Sequence, residues 1–150
     1  MTERPALTDK PDRAPVMTVL RSAGATGLPA VARALPDGGI TCPEITVTTS
    51  GALDAPAAAP GELGPEVAIG PGTVLITKQV REALAAGAEC LVAAAVDTDV
   101  SCGSADSGTP FHPGAGTPTE ASTAWRAGVA AELTSTRRAP IATRAPSPSA

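Results

Sequence analysis

Aromatic side chains are nearly missing from this chain: one Phe, one Trp and no Tyr make up 1% of the residues. A core without large rings has to be assembled from Ala, Val, Leu and Ile, drawn from a hydrophobic content of 43%, and only marginal stability is expected of it. Positive charge is also scarce. Eleven basic residues face fifteen acidic ones, for a net charge of -4, and Arg137 and Arg138 form the only adjacent basic pair. That leaves no basic face for a polyanion, so a nucleic-acid partner is not expected. No apolar run of about 18 residues occurs, and the opening MTERPALTDKPDR is polar, with no signal-peptide core. No membrane partner is expected, and a soluble cytoplasmic protein is. Cys42, Cys90 and Cys102 are odd in number and lack CxxC spacing, which suggests neither a disulfide framework nor a metal site. They read as small buried hydrophobes.

What is present fits one domain, since 150 residues can bury a core of useful size. The stretch that organises the chain runs from Glu66 to Val96, EVAIGPGTVLITKQVREALAAGAECLVAAAV. A β-branched run, a Gly-Pro-Gly break, a helical segment closed by Gly87 and a second apolar run make one strand–helix–strand crossover, which implies parallel neighbouring strands. Before it, Ala14 to Leu20 suits a buried strand. Leu28, Val31, Ala32 and Leu35 follow at helical spacing until Gly38 and Gly39.

Ile40 to Thr48 is the informative strand. Thr41, Pro43, Ile45 and Val47 fall on one face, and Cys42, Glu44, Thr46 and Thr48 on the other. An apolar face opposite a small polar one favours a barrel, where strands pack helices outside and turn polar groups into a lumen. Pro43 cannot donate to a ladder, so it predicts a damaged strand. Pro56 and Pro60 break the Ala-rich Ser50–Gly64 segment where a helix belongs, each at about 3 kcal/mol. Thr77 is the expected N-cap of the next helix, with Val80, Ala83 and Leu84 as its buried stripe, and Lys78 reads as a solvated surface residue. Asp97 to Gly108 is small, polar and Gly-interrupted, so a loop or frayed turn is expected. Thr109 to Gly114 is a short fifth strand. Thr117-Pro118-Thr119-Glu120 then forms a capping box with proline at the first helical position. The lone His112, next to Pro113, is assigned a structural role. From about Ala131 the composition turns to scattered Arg, Pro, Ser and Thr, read as a disordered tail over 131–150 to match the polar tail over 1–13.

Three blocks, GGITCPEITVTTSGAL, EVAIGPGTVLITKQVREALAAGAECLV and GTPFHPGAGTPTEASTAWRAG, resemble in order and spacing the 2-keto-3-deoxy-6-phosphogluconate (KDPG) and 4-hydroxy-2-oxoglutarate (KHG) aldolases, from about Val16 to Gly128. The resemblance implies a (β/α)8 TIM-type barrel, a homotrimer in the family, without a cofactor. Its implied chemistry is class I cleavage of a 2-keto acid to pyruvate and an aldehyde. A lysine forms a Schiff base with the keto acid and a glutamate moves protons. The family's glutamate falls on Glu44, on the polar face already derived, as the general acid/base position. Its strand-three threonine falls on Thr73, for substrate binding, although a residue that merely closes the strand reads equally well. Thr117 and Glu120 are better explained as caps.

Departures accompany the match. The family's arginine falls on Thr48, and its Ser-Pro-Gly on Ala93-Ala94-Ala95. The Schiff-base lysine belongs near Glu132 to Thr134, yet the only lysines are Lys10 and Lys78. A full barrel takes about 200 to 250 residues, so about five β–α units over 14–130 are expected: an incomplete α/β barrel, truncated or degenerate. Out-of-frame reading after about Gly128 would give this kind of tail; a coding sequence with no KLFPA-like segment downstream in any frame would sink that idea. The expected outcome is lost or severely impaired activity. The rivals are residual activity through Lys78 and a non-catalytic interaction module that completes its sheet with another subunit.

Overall fold

The computed structural model describes residues 16–24, 27–57, 63, 67–129, 132–136 and 139–143. The expected polar tail over 1–13 therefore lies outside the described residues. Strand β1 (Met17–Leu20) leads into helix α1 (Leu28–Ala34) and a 3-10 turn (Pro36–Gly38) that ends at Gly39 with φ 80°. Strand β2 (Cys42–Thr46) pairs in parallel with β1 on one side and with β3 (Gly70–Gly72) on the other. Helix α2 (Thr77–Ala85), β4 (Leu91–Ala93), helix α3 (Thr98–Ser107), β5 (Phe111–Ala115) and helix α4 (Pro118–Arg126) continue the alternation. Strands β4 and β5 are parallel, and β3 joins β4 through Glu89 N–H donating to Ile69 O at 3.3 Å and Val74 N–H to Val92 O at 3.0 Å. The result is a curved parallel sheet clothed by helices, a partial α/β (β/α) barrel.

Alternation along the strands decides what faces what. Ile45 packs outward with Leu28, Ala52 and Ile69, while Leu91 and Phe111 pack with Val80, Ala83, Val100 and Ala124 beneath the helices. With Ile45 and Phe111 outward, period two turns Cys42, Glu44, Thr46 and His112 into the lumen. The single Phe lies at the centre of the larger core, and the rest is Ala, Val and Leu, as the composition demands.

Pro43 does not damage its strand. It is buried within β2 and lies in register with Thr18 of β1. Odd-numbered residues of β2 turn their backbone groups to β3, as Thr41 O accepting from Ala68 N at 2.9 Å and Val47 N donating to Gly72 O at 2.8 Å show. The missing donor of Pro43 is therefore on the β3 side, where the ladder begins one residue later, at Glu44 opposite Gly70. Pro71 is placed the same way toward β4, between the two bonds that join β3 to β4.

Three further expectations change. The segment after Asp97 is a ten-residue helix, not a frayed turn: Asp97 Oδ1 accepts from Val100 N at 2.9 Å, and Gly108 closes the helix at φ 75°. Its buried stripe is Val100, Ser101 and Ser104, small enough to lie close to the sheet, with Ser104 Oγ donating to Thr109 O at 2.9 Å. Helix α2 starts one residue early, with Ile76 in the N-cap position and Gln79 Oε1 accepting from the backbone N–H of Leu75 and Ile76 at 2.8 and 3.3 Å. Beyond α4, where no strand was expected, β6 (Glu132–Thr136) pairs in parallel with β5 and in antiparallel with β7 (Ala139–Thr143). The β-branched residues Thr134, Thr136, Ile141 and Thr143 suit an extended chain despite Pro140. Between β2 and β3, residues 55–57 form a helical turn, and 58–62 and 64–66 lie outside the described residues, the expected break at Pro60 among them. No helix among the described residues is long and apolar enough to cross a membrane.

Candidate active site

Glu44 sits at the middle of β2, 4% exposed, with its carboxyl over the backbone of β3. A Cβ on Gly72 would lie 2.4 Å from Glu44 Oε1, so glycine is what makes room for this carboxylate. Glu44 Oε2 has no hydrogen-bond partner. Burial lifts its pKa to about 7, against a smaller lowering by the Arg21 charge. A carboxyl that gains and loses a proton near neutrality has the property an acid–base residue needs.

Thr73 follows directly on β3, at the C-terminal end of the strand, and is half-buried. Its φ of 62° makes it the one described non-glycine residue in the left-handed region, and a β-branched side chain pays for that conformation in steric strain. The C-terminal ends of barrel strands are where ligands bind, and strain held there marks a place where backbone position matters more than local comfort. Glu44 and Thr73 thus come from adjacent strands, joined through Gly72.

His112 was assigned a structural role, and its position is the lumen. It lies in register with Val92, is 4% exposed, and has no partner for Nε2. Burial drives its pKa down to about 4, so the imidazole is neutral at pH 7. Its alternation with Phe111 and Pro113 was the available signal. Arg21 is not among the residues singled out from the sequence. It follows β1 one residue past the Leu20–Ile45 pair, which brings its charge to bear on Glu44.

The remaining candidates lie elsewhere. Thr48 is exposed, and its hydroxyl is 3.0 Å from Thr46 Oγ1, which is also 3.4 Å from Thr49 Oγ1. Thr117 and Glu120 form the expected capping box: Glu120 N donates to Thr117 Oγ1 at 3.2 Å, while Glu120 Oε2 accepts from Thr117 Oγ1 at 3.0 Å and from Gly116 N at 2.9 Å. Lys78 is 70% exposed and pairs with Glu82 at 3.5 Å on the surface of α2. The structure does not bring it to Glu44.

The KDPG and KHG aldolase family model matches residues 7–133. The chain belongs to that family. A 2-dehydro-3-deoxy-phosphogluconate aldolase of Treponema pallidum (strain Nichols) is 38% identical over 115 residues, covering 77% of this chain and 53% of the relative. Among solved structures, the 2-keto-3-deoxy-6-phosphogluconate aldolase of Zymomonas mobilis ZM4 with 3-phosphoglycerate superposes at TM-score 0.72 and 28% identity, over 83% of this chain and 60% of that one. The KDPG aldolase of Legionella pneumophila, with pyruvate captured as a covalent carbinolamine, gives TM-score 0.66 and 26% identity over 77% and 56%. The chain therefore spans little more than half the length of these relatives. The family match extends a few residues past Gly128, into β6.

Proposed function

We propose that this chain is an aldolase-family 2-keto-acid site whose carbon–carbon lyase chemistry is lost or severely impaired. The observation that carries the binding half is Glu44, buried and unpartnered at Oε2 beside the strained Thr73. In this reading pyruvate, or a phosphorylated or unphosphorylated 2-keto acid, enters from the C-terminal ends of the strands. Thr73 holds it, Arg21 supplies the positive field that Thr48 does not, and Glu44 is the acid–base group. No cofactor is called on. The Legionella relative, with pyruvate covalently captured, supports a keto-acid ligand.

The catalytic half fails for want of an amine. Class I cleavage needs a lysine to form an imine at the keto carbon, which then accepts the electron pair of the breaking carbon–carbon bond. β6, which reads ELTST, holds no lysine, and Lys78 is committed to the surface. Without the imine, the carbonyl is a poorer electron sink and Glu44 has only a slow reaction to assist. Three free cysteines without a disulfide fit a reducing, cytoplasmic setting.

Incubation with pyruvate and borohydride, read by intact mass, tests the loss: no adduct is expected, and an adduct on Lys78 or Lys10 overturns it. Ligand-observed NMR tests the binding: pyruvate contact that weakens in Thr73→Val and Glu44→Gln is expected. Absence of contact with a folded chain overturns the keto-acid site.

A further inference from the structure

The lumen holds a sulfur-containing cluster, on the N-terminal side of Glu44, that the aldolase reading does not use. Cys42 Sγ and Cys90 Sγ lie 3.8 Å apart, and both residues are 1% exposed. Met17 packs against this pair together with Ala68, and Met17 is the register partner of Cys42, so it shares the inner face. Gly70 makes the approach possible: a Cβ there would overlap the carbonyl of Cys90 and lie 2.8 Å from its Sγ. The thiol–thiol hydrogen bond holds the Cys42 pKa down, and together with burial it pushes Cys90 well above the ordinary thiol range. Two thiol sulfurs, from β2 and from the residue before β4, thus meet in a buried part of the barrel, with the Met17 side chain of β1 packed against their cluster.

A disulfide is the obvious reading of two close cysteines, and the strands oppose it. Cys42 and Cys90 flank β3, two strand spacings apart, which puts their backbones roughly 9 Å from each other. Bridged cysteines have Cα atoms closer than about 7 Å, so oxidation requires the sheet to shift. Zinc is opposed by ligand number. It takes four donors, and among the described residues no group of three or more His, Cys, Asp or Glu is placed to hold a metal.

A soft monovalent ion satisfied by few sulfurs meets neither objection. With metal–sulfur bonds of about 2.3 Å, sulfurs 3.8 Å apart subtend an angle of about 110° at the metal, so no strand need move. That bent angle leaves one side open for a third ligand, and Met17, which packs against this cluster, is the residue at hand to supply it. We propose that Met17, Cys42 and Cys90 form a three-sulfur site for Cu(I). Thiolate and thioether donors select Cu(I) over harder divalent ions. As the ion enters, two copper–thiolate bonds form and two thiol protons leave to solvent. Copper stays monovalent and no electron is transferred.

Anaerobic titration of the full chain with Cu(I), in competition with a chromophoric Cu(I) chelator, tests the site. One ion per chain is expected. Cys42→Ser and Cys90→Ser should each weaken uptake on the order of a hundredfold, Met17→Leu about tenfold, and Cys102→Ser not at all. Uptake that survives both serine variants, or that disappears with Cys102→Ser, overturns the proposal. X-ray absorption of the loaded wild-type chain covers the case in which a variant fails to fold: three sulfur scatterers support the site, and nitrogen or oxygen donors overturn it. Zn(II) binding as tightly as Cu(I) likewise overturns it.

Discussion

The Glu44 carboxyl occupies the space that a side chain at Gly72 would fill: an added Cβ would stand 2.4 Å from Oε1 and 2.8 Å from Oε2. The group that would have to give way is the free end of a flexible side chain. Gly72→Ala is therefore expected to displace the carboxyl, at about 1–3 kcal/mol, and to bring the Glu44 pKa down toward its ordinary value as it reaches water. Gly70→Ala meets the rigid backbone carbonyl of Cys90 instead and should cost distinctly more. Urea midpoints for both variants, with a carboxyl-carbon NMR titration of Gly72→Ala, measure this. Equal costs, or an unmoved Glu44 titration, would sink the account.

Glu44 and His112 make opposite contributions to stability against pH. Glu44 rises from 4.5 to about 7 on folding, so its neutral form favours the native state; that stability is complete below pH 4.5 and is lost as pH climbs through 7. His112 falls from 6.5 to about 4, so its contribution is complete above pH 6.5 and is lost as pH drops through 4. Each slope approaches about 1.4 kcal/mol per pH unit, and between pH 4.5 and 6.5 they offset each other. Glu44→Gln should therefore expose a stability that rises with pH over this window relative to wild type. His112→Gln should expose one that falls. Denaturant midpoints at half-unit pH steps decide, and parallel profiles for the two variants would refute the opposition.

The legible parts of this fold were those with their own local chemistry. The alternation through Cys42, Glu44 and Thr46 carried both the barrel and the position of the buried carboxylate, and the capping box at Thr117 marked the start of α4. What escaped depended on partners far along the chain. Pro43 is harmless only because the β3 ladder starts after it, and α3 needs no large apolar stripe only because serines fit close to the sheet. The fall of β6 beside β5, like the convergence of Cys42 and Cys90 across 48 residues of sequence, has no local signature.

Thr73 carries strain that a glycine would not. Its φ of 62° costs a β-branched residue about 1–2 kcal/mol. Thr73→Gly should recover part of that, offset by greater freedom in the unfolded chain, for a net gain near 0.5–1 kcal/mol. If the hydroxyl holds the keto acid, the same variant should lose pyruvate contact by NMR. A rise in thermal midpoint with weakened binding is the expected pair of results. A fall in the midpoint would mean that the side chain stabilises this turn rather than straining it.

The absent amine can be supplied. β6 runs parallel to β5 with Leu133 in register with Gly114 and Thr134 with Ala115. Gly114 is two residues past His112 and has its parity, whereas Ala115 has the parity of Phe111, which packs under the helices. Leu133 is therefore in register with a position of His112's parity and Thr134 with one of Phe111's. Leu133→Lys should yield a borohydride-trapped adduct with pyruvate, and Thr134→Lys should not, although the two add the same group one residue apart. A desolvated lysine has a lowered pKa, so trapping by Leu133→Lys should persist at pH 7, where a surface amine is almost wholly protonated. Intact mass with peptide mapping reads the site of attachment. Adducts of equal yield on both variants would show that β6 does not hold this register in solution.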